Sequence, residues 1–309
     1  MYVMGRLLAL LALVCGCKAQ LGSLEHNSPS DAPGSTGADG APSDAQVDAQ
    51  PDAPTGPWGT PTVIPNTAAA TVNVDDPTMT QNGLDIIYAV TNAAGTAKSL
   101  FEIQRTTVGS PWGTPVSRDE LNIGTSEESP RFTADDKTIY YGVAGTIYTA
   151  TRTAAGQPFG TPTAVAAINT GAYQKWLAVC DGNNVMVSRS NTTTANMDLY
   201  EGTLTNGAPT NAAVLNESTT SEISTFLSKD CLTVYYASNR GTNGTTQLYT
   251  STRGSIGGTW STPVNVPSPF SENDGTDNED PWVSNDGHYF VFAGVRGGST
   301  VKQLYISTR

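Results

Sequence analysis

The chain has 309 residues and a formal net charge of −12, with only 14% of its residues charged. Proteins that bind nucleic acid neutralise phosphates with clustered lysine and arginine, so an acidic and weakly charged chain argues against that class of partner. Glycine is abundant, at 31 residues, and long helix-forming stretches are missing after residue 20. This composition is typical of strands and turns, and it predicts an all-β protein.

The N-terminus has the pattern of an export signal. Arg6 precedes an apolar run over residues 7–14, which is too short to span a bilayer. The following Val-Cys-Gly-Cys, which ends at Cys17, resembles the lipobox of bacterial lipoproteins. The resemblance implies a signal peptide over residues 1–16 and a lipid on Cys17, hence a membrane partner. Cleavage before Cys15 and ordinary secretion remain alternatives.

The signal is followed by a segment rich in Pro, Ala, Ser and Asp. Residues 17–56 contain too little apolar surface to offset the entropy of chain ordering, so we predict a disordered tether that begins with the lipidated cysteine. Lys18 stands where Asp would retain an enterobacterial lipoprotein in the inner membrane. By that resemblance the sequence favours the outer membrane, and it leaves the periplasmic and surface sides open.

The remainder, residues 57–309, repeats three signatures in a fixed order. The first is a strand, a polar turn and a second strand, and its copies begin at residues 77, 130, 176, 225 and 281. The second is a Leu or Ile followed by an aromatic residue, as in Leu100-Phe101. The third is an aromatic-Gly/Ser-Thr-Pro step, as at Trp112. A period near 50 residues with four strands per unit is the spacing of propeller blades.

The number and order of the signatures predict how the ring closes. Each occurs five times, the third in a degenerate form around residues 207–209. The first copy of the third signature, at Trp58, precedes the first hairpin. We therefore predict a five-bladed β-propeller with four antiparallel strands per blade, closed by pairing of residues 58–64 with residues 301–308. The expected blades lie near residues 75–116, 127–165, 173–214, 222–266, and 279–309 plus 58–64.

The segment from Glu127 to Tyr141 resembles the PD40 family, the WD40-like repeats of TolB-type propellers. It has that family's order of acid, Ser, Pro, strand, Asp-rich turn and aromatic strand. The resemblance implies a binding scaffold at the cell envelope. Blade 3 departs from it, with Gln174-Lys175-Trp176 where an acid and Pro belong, and five blades are fewer than the six of TolB.

Acidic residues precede the first strand of most blades. These residues are Asp75, Asp76, Glu127, Glu128, Glu222, Glu279 and Asp280. Because first strands line the axis of a propeller, we expect a candidate ligand site at one axial mouth. The acids have three alternative roles: capping of backbone N–H groups, binding of a ligand or cation, or glycoside hydrolysis. Hydrolysis requires three carboxylates in one pocket, two of them roughly 5–10 Å apart.

Two further sites follow from local composition. The loop over residues 272–280 contains five acids, which predicts a weak calcium site at Asp274, Asp277 and Asp280, with a solvated loop as the alternative. No other cofactor is expected. Cys180 and Cys231 form either a disulfide, which an oxidising compartment permits, or two separate buried thiols.

The function class follows from these features taken together. We expect a binding or scaffold module at the envelope, with a protein or glycan partner, rather than an enzyme. The alternative is a glycosidase-like propeller that uses the axial acids. Nucleophilic hydrolysis lacks support, because His26 lies in the tether and His288 in a turn. Trp176 and Trp282 lie on first strands, where they either pack between blades or stack on a ligand.

Overall fold

The computed structural model of the protein describes residues 54, 56–67, 71–170, 173–190, 196–205, 208–241, 244–270 and 276–309. The predicted signal peptide, Cys17, nearly all of the tether and Asp274 lie outside these residues. Within them the chain is all-β, and the one helical segment is a 3-10 turn at Asp181–Asn183. No helix in this part of the chain has the length and apolarity needed to cross a membrane.

Twenty strands form five antiparallel sheets of four strands, each sheet being one blade. Blade 1 contains β2 (Val74–Met79), β3 (Asp85–Thr91), β4 (Lys98–Gln104) and β5 (Val116–Ser117). Blade 2 contains β6 (Glu127–Phe132), β7 (Thr138–Val143), β8 (Thr146–Thr151) and β9 (Thr163–Ala164). Blade 3 contains β10 (Tyr173–Val179), β11 (Asn184–Ser190), β12 (Asp198–Thr203) and β13 (Thr210–Asn211). Blade 4 contains β14 (Glu222–Leu227), β15 (Thr233–Ser238), β16 (Gln247–Thr252) and β17 (Val264–Asn265). Blade 5 contains β18 (Asn278–Val283), β19 (Tyr289–Gly294), β20 (Gln303–Thr308) and β1 (Thr62–Val63).

The ring closes as the order of the signatures predicts. β1 pairs with β20, with Thr62 opposite Ile306 and Val63 opposite Tyr305. The ladder is extended by the Gly59 N–H, which donates to the Thr308 carbonyl at 2.9 Å. The first and last strands of the folded part therefore share one sheet, which removes a free edge. The predicted five-bladed propeller and its N-terminal outer strand are confirmed.

The apolar core lies between neighbouring blades. The second strand of each blade is buried on both faces, so Ile86, Ile87, Tyr88 and Ala89 of β3 are all fully buried. Ile86 and Tyr88 belong to the cluster shared with blade 5, whereas Ile87 and Ala89 belong to the cluster shared with blade 2. Successive strand residues point to opposite faces, so each sheet contributes to two interblade cores.

An arginine at the end of the third strand explains two of the repeated signatures. In four blades its Nε donates to a carbonyl in the first hairpin turn, and its guanidinium covers the aromatic residue that opens the fourth strand. These pairs are Arg105 with Trp112, Arg152 with Phe159, Arg253 with Trp260, and Arg309 with Trp58. Blade 3 has Leu204 at the corresponding position. The recurring Trp and Phe residues are therefore packing residues.

The first strand of every blade contains a β-bulge. The register of each first pair of strands shifts at one residue, and that residue has a positive φ between 49° and 62°. The bulge residues are Asp76, Ser129, Trp176, Ser224 and Asp280. A bulge turns the side chain of the extra residue out of the regular alternation. The position of the bulge therefore determines which side chains of the first strand reach the axis.

Candidate functional site

The two ends of the propeller axis differ in chemistry. The first strands begin at one end, where Asp75, Lys98 and Lys302 line a shallow opening. This end is called the acid face. The first strands finish at the other end, in the hairpin turns that include Ser228 and Ser284. This end is called the turn face. The predicted axial site lies on the acid face.

The seven acids occupy three different positions relative to the bulge. Asp76 and Asp280 are bulge residues, whereas Asp75, Glu128 and Glu279 come one residue before the bulge, and Glu127 and Glu222 come two residues before it. Because the side-chain direction changes with each residue along a strand, the three groups point in different directions. The acids therefore do not form a single ring around the mouth.

The Lys98 ammonium holds the carboxylates of blades 1 and 2 together. Its Nζ lies 2.8 Å from Asp75 Oδ2, 3.2 Å from Asp76 Oδ2 and 3.8 Å from Glu128 Oε2. Burial acts to lower the pKa of Lys98, but the carboxylates of Asp76 and Asp75 outweigh it and raise that pKa well above its usual value. Lys98 is therefore a permanent cation between three acids.

Glu128 has a second lysine partner, and Glu279 has one of its own. Lys175 Nζ lies 2.7 Å from Glu128 Oε2, and Lys302 forms an ion pair with Glu279. Burial raises the pKa of Asp75, and Lys98 opposes this effect. Within the described residues, each of these acids is thus compensated by a cation rather than left open to a ligand.

Trp176 crosses the axis and binds both axial carboxyl groups. Its indole Nε1 donates to Asp76 Oδ1 at 2.6 Å and to Asp280 Oδ1 at 3.1 Å. The Asp76 N–H donates to Asp280 Oδ2 at 3.0 Å, which joins blades 1 and 5 directly. Asp76 and Asp280 are each only 1% exposed, and Trp176 is 7% exposed. The indole therefore fills the space between the two carboxyl groups that a substrate would require.

The surroundings of Asp76 and Asp280 shift the pKa values of the two carboxyl groups in opposite directions. Burial and the Asp76 carboxylate raise the pKa of Asp280 well above its usual value. Burial acts in the same direction on Asp76, but Lys98 and the hydrogen bonds from its neighbours hold the pKa of Asp76 below its usual value. Of the two carboxyl groups, Asp280 is therefore the one that holds a proton more readily, and Asp76 is the one that ionises more readily. An acid beside its base is the pairing that general acid–base catalysis uses.

Arg131 closes the axis two residues beyond the bulge of blade 2. Its Nε donates to the Thr225 carbonyl at 3.1 Å, and its Nη1 donates to the Pro77 carbonyl at 3.0 Å. These contacts join blade 2 to blades 4 and 1, and the arginine is 2% exposed. The channel is consequently filled by protein groups beneath the acid face. Trp282 packs on Phe226 at a centroid distance of 6.2 Å, which makes it a core residue.

Glu127 and Glu222 form hydrogen bonds with neighbouring loop residues instead of facing the axis. The Gly124 N–H donates to Glu127, and burial raises the pKa of that carboxyl group. Glu222 accepts from Thr220 and Ser238 and pairs with Arg240 at 3.1 Å. Glu127 thus caps a backbone N–H group, one of the three roles considered for the acids, whereas Glu222 bonds mainly to the side chains around it.

The residues proposed for calcium have other partners. The Thr246 N–H donates to Asp277 Oδ1 at 2.9 Å, and Asp280 is engaged by Trp176. No cluster of three metal-ligating side chains occurs among the described residues. Asp274 lies outside them, so the calcium site stays a prediction.

A disulfide joins Cys180 to Cys231, with a Cα–Cα distance of 5.4 Å. It connects the end of β10 in blade 3 to the hairpin turn of blade 4. The adjacent Asp181 N–H donates to the Lys229 carbonyl at 3.0 Å. Blade 3 lacks the arginine that fastens the hairpin turns of the other blades, and here the covalent bond holds its turn to the next blade.

Sequence reasoning missed the lysines, although a signal for two of them exists. Lys98 and Lys302 each stand two residues before the Leu-aromatic step, in two of the three blades whose first strands carry adjacent acids. The repeat alignment also placed Trp176 one residue out of register. The repeat had aligned Trp176 with Pro77, whereas the bulges align it with Asp76.

No family model and no curated protein matches the chain. Several solved structures match its fold. The α-L-arabinofuranosidase PaAbf62A from Podospora anserina, solved with cellotriose, is 16% identical, with 81% of this chain and 96% of that chain covered at a TM-score of 0.57. A GH62 α-L-arabinofuranosidase from Coprinopsis cinerea is 15% identical, with coverage of 81% and 96% and a TM-score of 0.55.

The predicted membership of the PD40 family is wrong. TolB from Acinetobacter baumannii matches at a TM-score of only 0.43, with 55% of its chain covered, and a thermostable family-43 glycoside hydrolase reaches 0.51 with 91% covered. The motif from Glu127 to Tyr141 misled because Ser129 and Asp136 occupy positive-φ positions that the bulge and the turn of a blade require. The chain is similar in fold to five-bladed glycoside hydrolases.

Proposed function

We propose that the propeller is a saccharide-binding module and that its axial acids stabilise the fold rather than catalyse a reaction. The observation that carries this proposal is the contact of the Trp176 indole with both Asp76 and Asp280. Hydrolysis of a glycoside requires a sugar, and in inverting enzymes also a water, between the two carboxyl groups. Here that space holds an indole ring.

The saccharide class is supported by the fold comparisons. The matching structures include an arabinofuranosidase solved with cellotriose and a GH62 hydrolase solved with xylotriose. At 14–16% identity these likenesses establish the fold alone. We use them to choose the class of ligand to test, among the protein and glycan partners that the sequence leaves open.

Glycoside hydrolysis is the second candidate, and one observation favours it. The pKa of Asp280 is raised and that of Asp76 is lowered on adjacent blades, as an acid and a base require, and Glu128 of the next blade reaches the same lysine as Asp76. Acids of three consecutive blades thus meet at one mouth. Catalysis by them would require Trp176 and Lys98 to move away before a sugar could enter.

Binding and hydrolysis can be separated with one set of ligands. The purified full chain is titrated with xylotriose, cellotriose and arabinoxylan oligosaccharides by calorimetry, and the same mixtures are analysed for cleavage by mass spectrometry. We expect binding without cleavage. Cleavage by the wild type that is lost in Asp280→Asn would overturn the proposal in favour of hydrolysis. Failure of every oligosaccharide to bind would contradict the saccharide class.

We also propose that the chain is anchored to a membrane through lipid on Cys17, as the lipobox resemblance implies. Cys17→Ser should abolish incorporation of radiolabelled palmitate and release the protein into the soluble fraction of expressing bacteria. Cys15→Ser is the matched control, because it lies two residues away and should leave both measurements unchanged. Loss of labelling in Cys15→Ser alone would move the cleavage site to Cys15, and labelling of neither wild type nor variant would indicate ordinary secretion.

A further inference from the structure

The turn face has a groove between blades 4 and 5, at the opposite end of the axis from the acids. Its volume is about 380 Å³, and it is lined by residues that include Phe226, Ser228, Lys229, Tyr235, Asn285 and Arg309. A volume of this size lies in the range of small-molecule sites, about 300–1,000 Å³. The groove is named the turn-face groove.

Aromatic rings form one wall of the turn-face groove. The Tyr235 ring lies 6.3 Å from Phe226, and it is held edge-on against Phe290 at 5.7 Å. Both contacts fix the ring, so little conformational entropy remains to be lost when a ligand binds. The Tyr235 side chain is partly exposed, and its hydroxyl makes no hydrogen bond to another described residue. A rigid ring with a free hydroxyl is suited to a ligand with both apolar and hydroxyl groups.

The charges around the turn-face groove balance. Lys229 and Arg309 are opposed by Asp181 and Asp230, all four of which line it. Asp230 is partly engaged, because its Oδ1 accepts from the Ser228 hydroxyl and the Leu232 N–H. Burial raises the pKa of Tyr235, so the phenol stays neutral and can donate. A site without net charge favours an uncharged ligand over an anion or a cation.

We infer that the turn-face groove binds an uncharged oligosaccharide, with one sugar ring against Tyr235 and a sugar hydroxyl bonded to the Tyr235 hydroxyl. The inference rests on the proposed saccharide-binding function and assigns that function to the face away from the acids. The opening on the acid face, of about 320 Å³, has no aromatic residue in its lining, and the carboxylates of that face are compensated by Lys98, Lys175 and Lys302.

Tyr235→Phe tests the inference, with Tyr140→Phe as the matched control. Tyr140 occupies the same position in blade 2, opposite Arg131 as Tyr235 is opposite Phe226, and it lies outside the groove. Both variants keep the ring, so both should fold. In titrations of the full chain with xylotriose and cellotriose, we expect Tyr235→Phe to weaken binding about tenfold, the effect of one lost hydrogen bond. Tyr140→Phe should bind as the wild type does.

Hydrogen–deuterium exchange with and without xylotriose locates the ligand independently of the variants. We expect protection in peptides covering residues 226–236 and 283–289. Protection confined to residues 73–76 and 126–129, or equal affinity in Tyr235→Phe and wild type, would overturn the assignment to the turn-face groove and leave the proposed function standing. Absence of binding by the wild type would instead overturn the proposed function, and the inference with it.

Discussion

Replacing both Asp76 and Asp280 by Asn should lower the free energy of unfolding by about 3 kcal/mol. Asp280→Asn alone should lower it by only about 1 kcal/mol, because the amide can accept just one of the two N–H bonds that Asp280 receives. The raised pKa of Asp280 and the lowered pKa of Asp76 predict that the pair carries one negative charge, located on Asp76. The single Asp280→Asn substitution preserves that charge. The double variant removes it and leaves Lys98 with one fewer buried partner. Asp76→Asn alone should cost less than the double variant, since Asp280 can then ionise.

The pH dependence of stability follows from the same assignment. A carboxyl group whose pKa is raised on folding takes up a proton as the chain folds. The free energy of unfolding therefore falls as the pH rises above 3.8, the pKa of Asp280 in the unfolded chain. The lowered pKa of Asp76 acts oppositely, and its stabilisation is lost only as the pH falls below about 4. Asp280→Asn should therefore flatten the decline of stability between pH 4 and pH 7.

Urea unfolding of the four proteins of this double-mutant cycle, at pH 4 and pH 7, measures both effects. We expect the loss in the double variant to exceed the sum of the two single losses. Asn tolerates the left-handed backbone at both positions, so the comparison isolates charge from backbone strain. A loss in Asp280→Asn as large as that in the double variant would show that Asp280 is the ionised member, contrary to the assignment.

Removing the Cys180–Cys231 disulfide, by Cys180→Ala with Cys231→Ala, should lower the free energy of unfolding by about 4 kcal/mol. The bond closes a loop whose ends are 51 residues apart, which restricts the unfolded chain. In the folded state it fastens blade 3, which has Leu204 in place of the arginine of the other blades. The cost therefore falls on the blade whose turn lacks that arginine.

Urea unfolding of wild type and of the double alanine variant, with and without dithiothreitol, measures this contribution. The wild type should lose about 4 kcal/mol on reduction. The free energy of unfolding of the double variant should not change with the reductant. This variant is therefore the control for any effect of the reductant through Cys15 and Cys17. Equal stability of the oxidised and reduced wild type would show that the disulfide adds nothing to the fold.

The blade structure could be predicted because its signals are local. The Asp-Gly type turns, the Leu-aromatic strands and the aromatic-Gly-Thr-Pro steps each reflect a backbone or packing requirement within one blade. Counting them was enough to place residues 58–64 beside residues 301–308, far apart in the chain. Family membership could not be obtained in this way, since propellers of different families share these requirements.

The axial acids illustrate the limit of the same reasoning. The repeat predicts that they precede the first strands, whereas all seven lie within those strands. Five of the seven have partners at the acid face. Glu127 and Glu222 point elsewhere, because one residue along a strand reverses the direction of a side chain. In blade 3, where the sequence lacks the acid of the other blades, the bulge places the Trp176 indole beside Asp76.

The sequence by itself determined the all-β class, the five blades, the position of the turns and the strand that closes the ring, because these depend on patterns within about 50 residues. Only the tertiary structure decided that Asp76 and Asp280 face each other, that Trp176 and Arg131 fill the channel, and that a groove opens on the turn face. These features join side chains from blades that are far apart in the chain, and their geometry depends on bulges that shift each strand by a single residue.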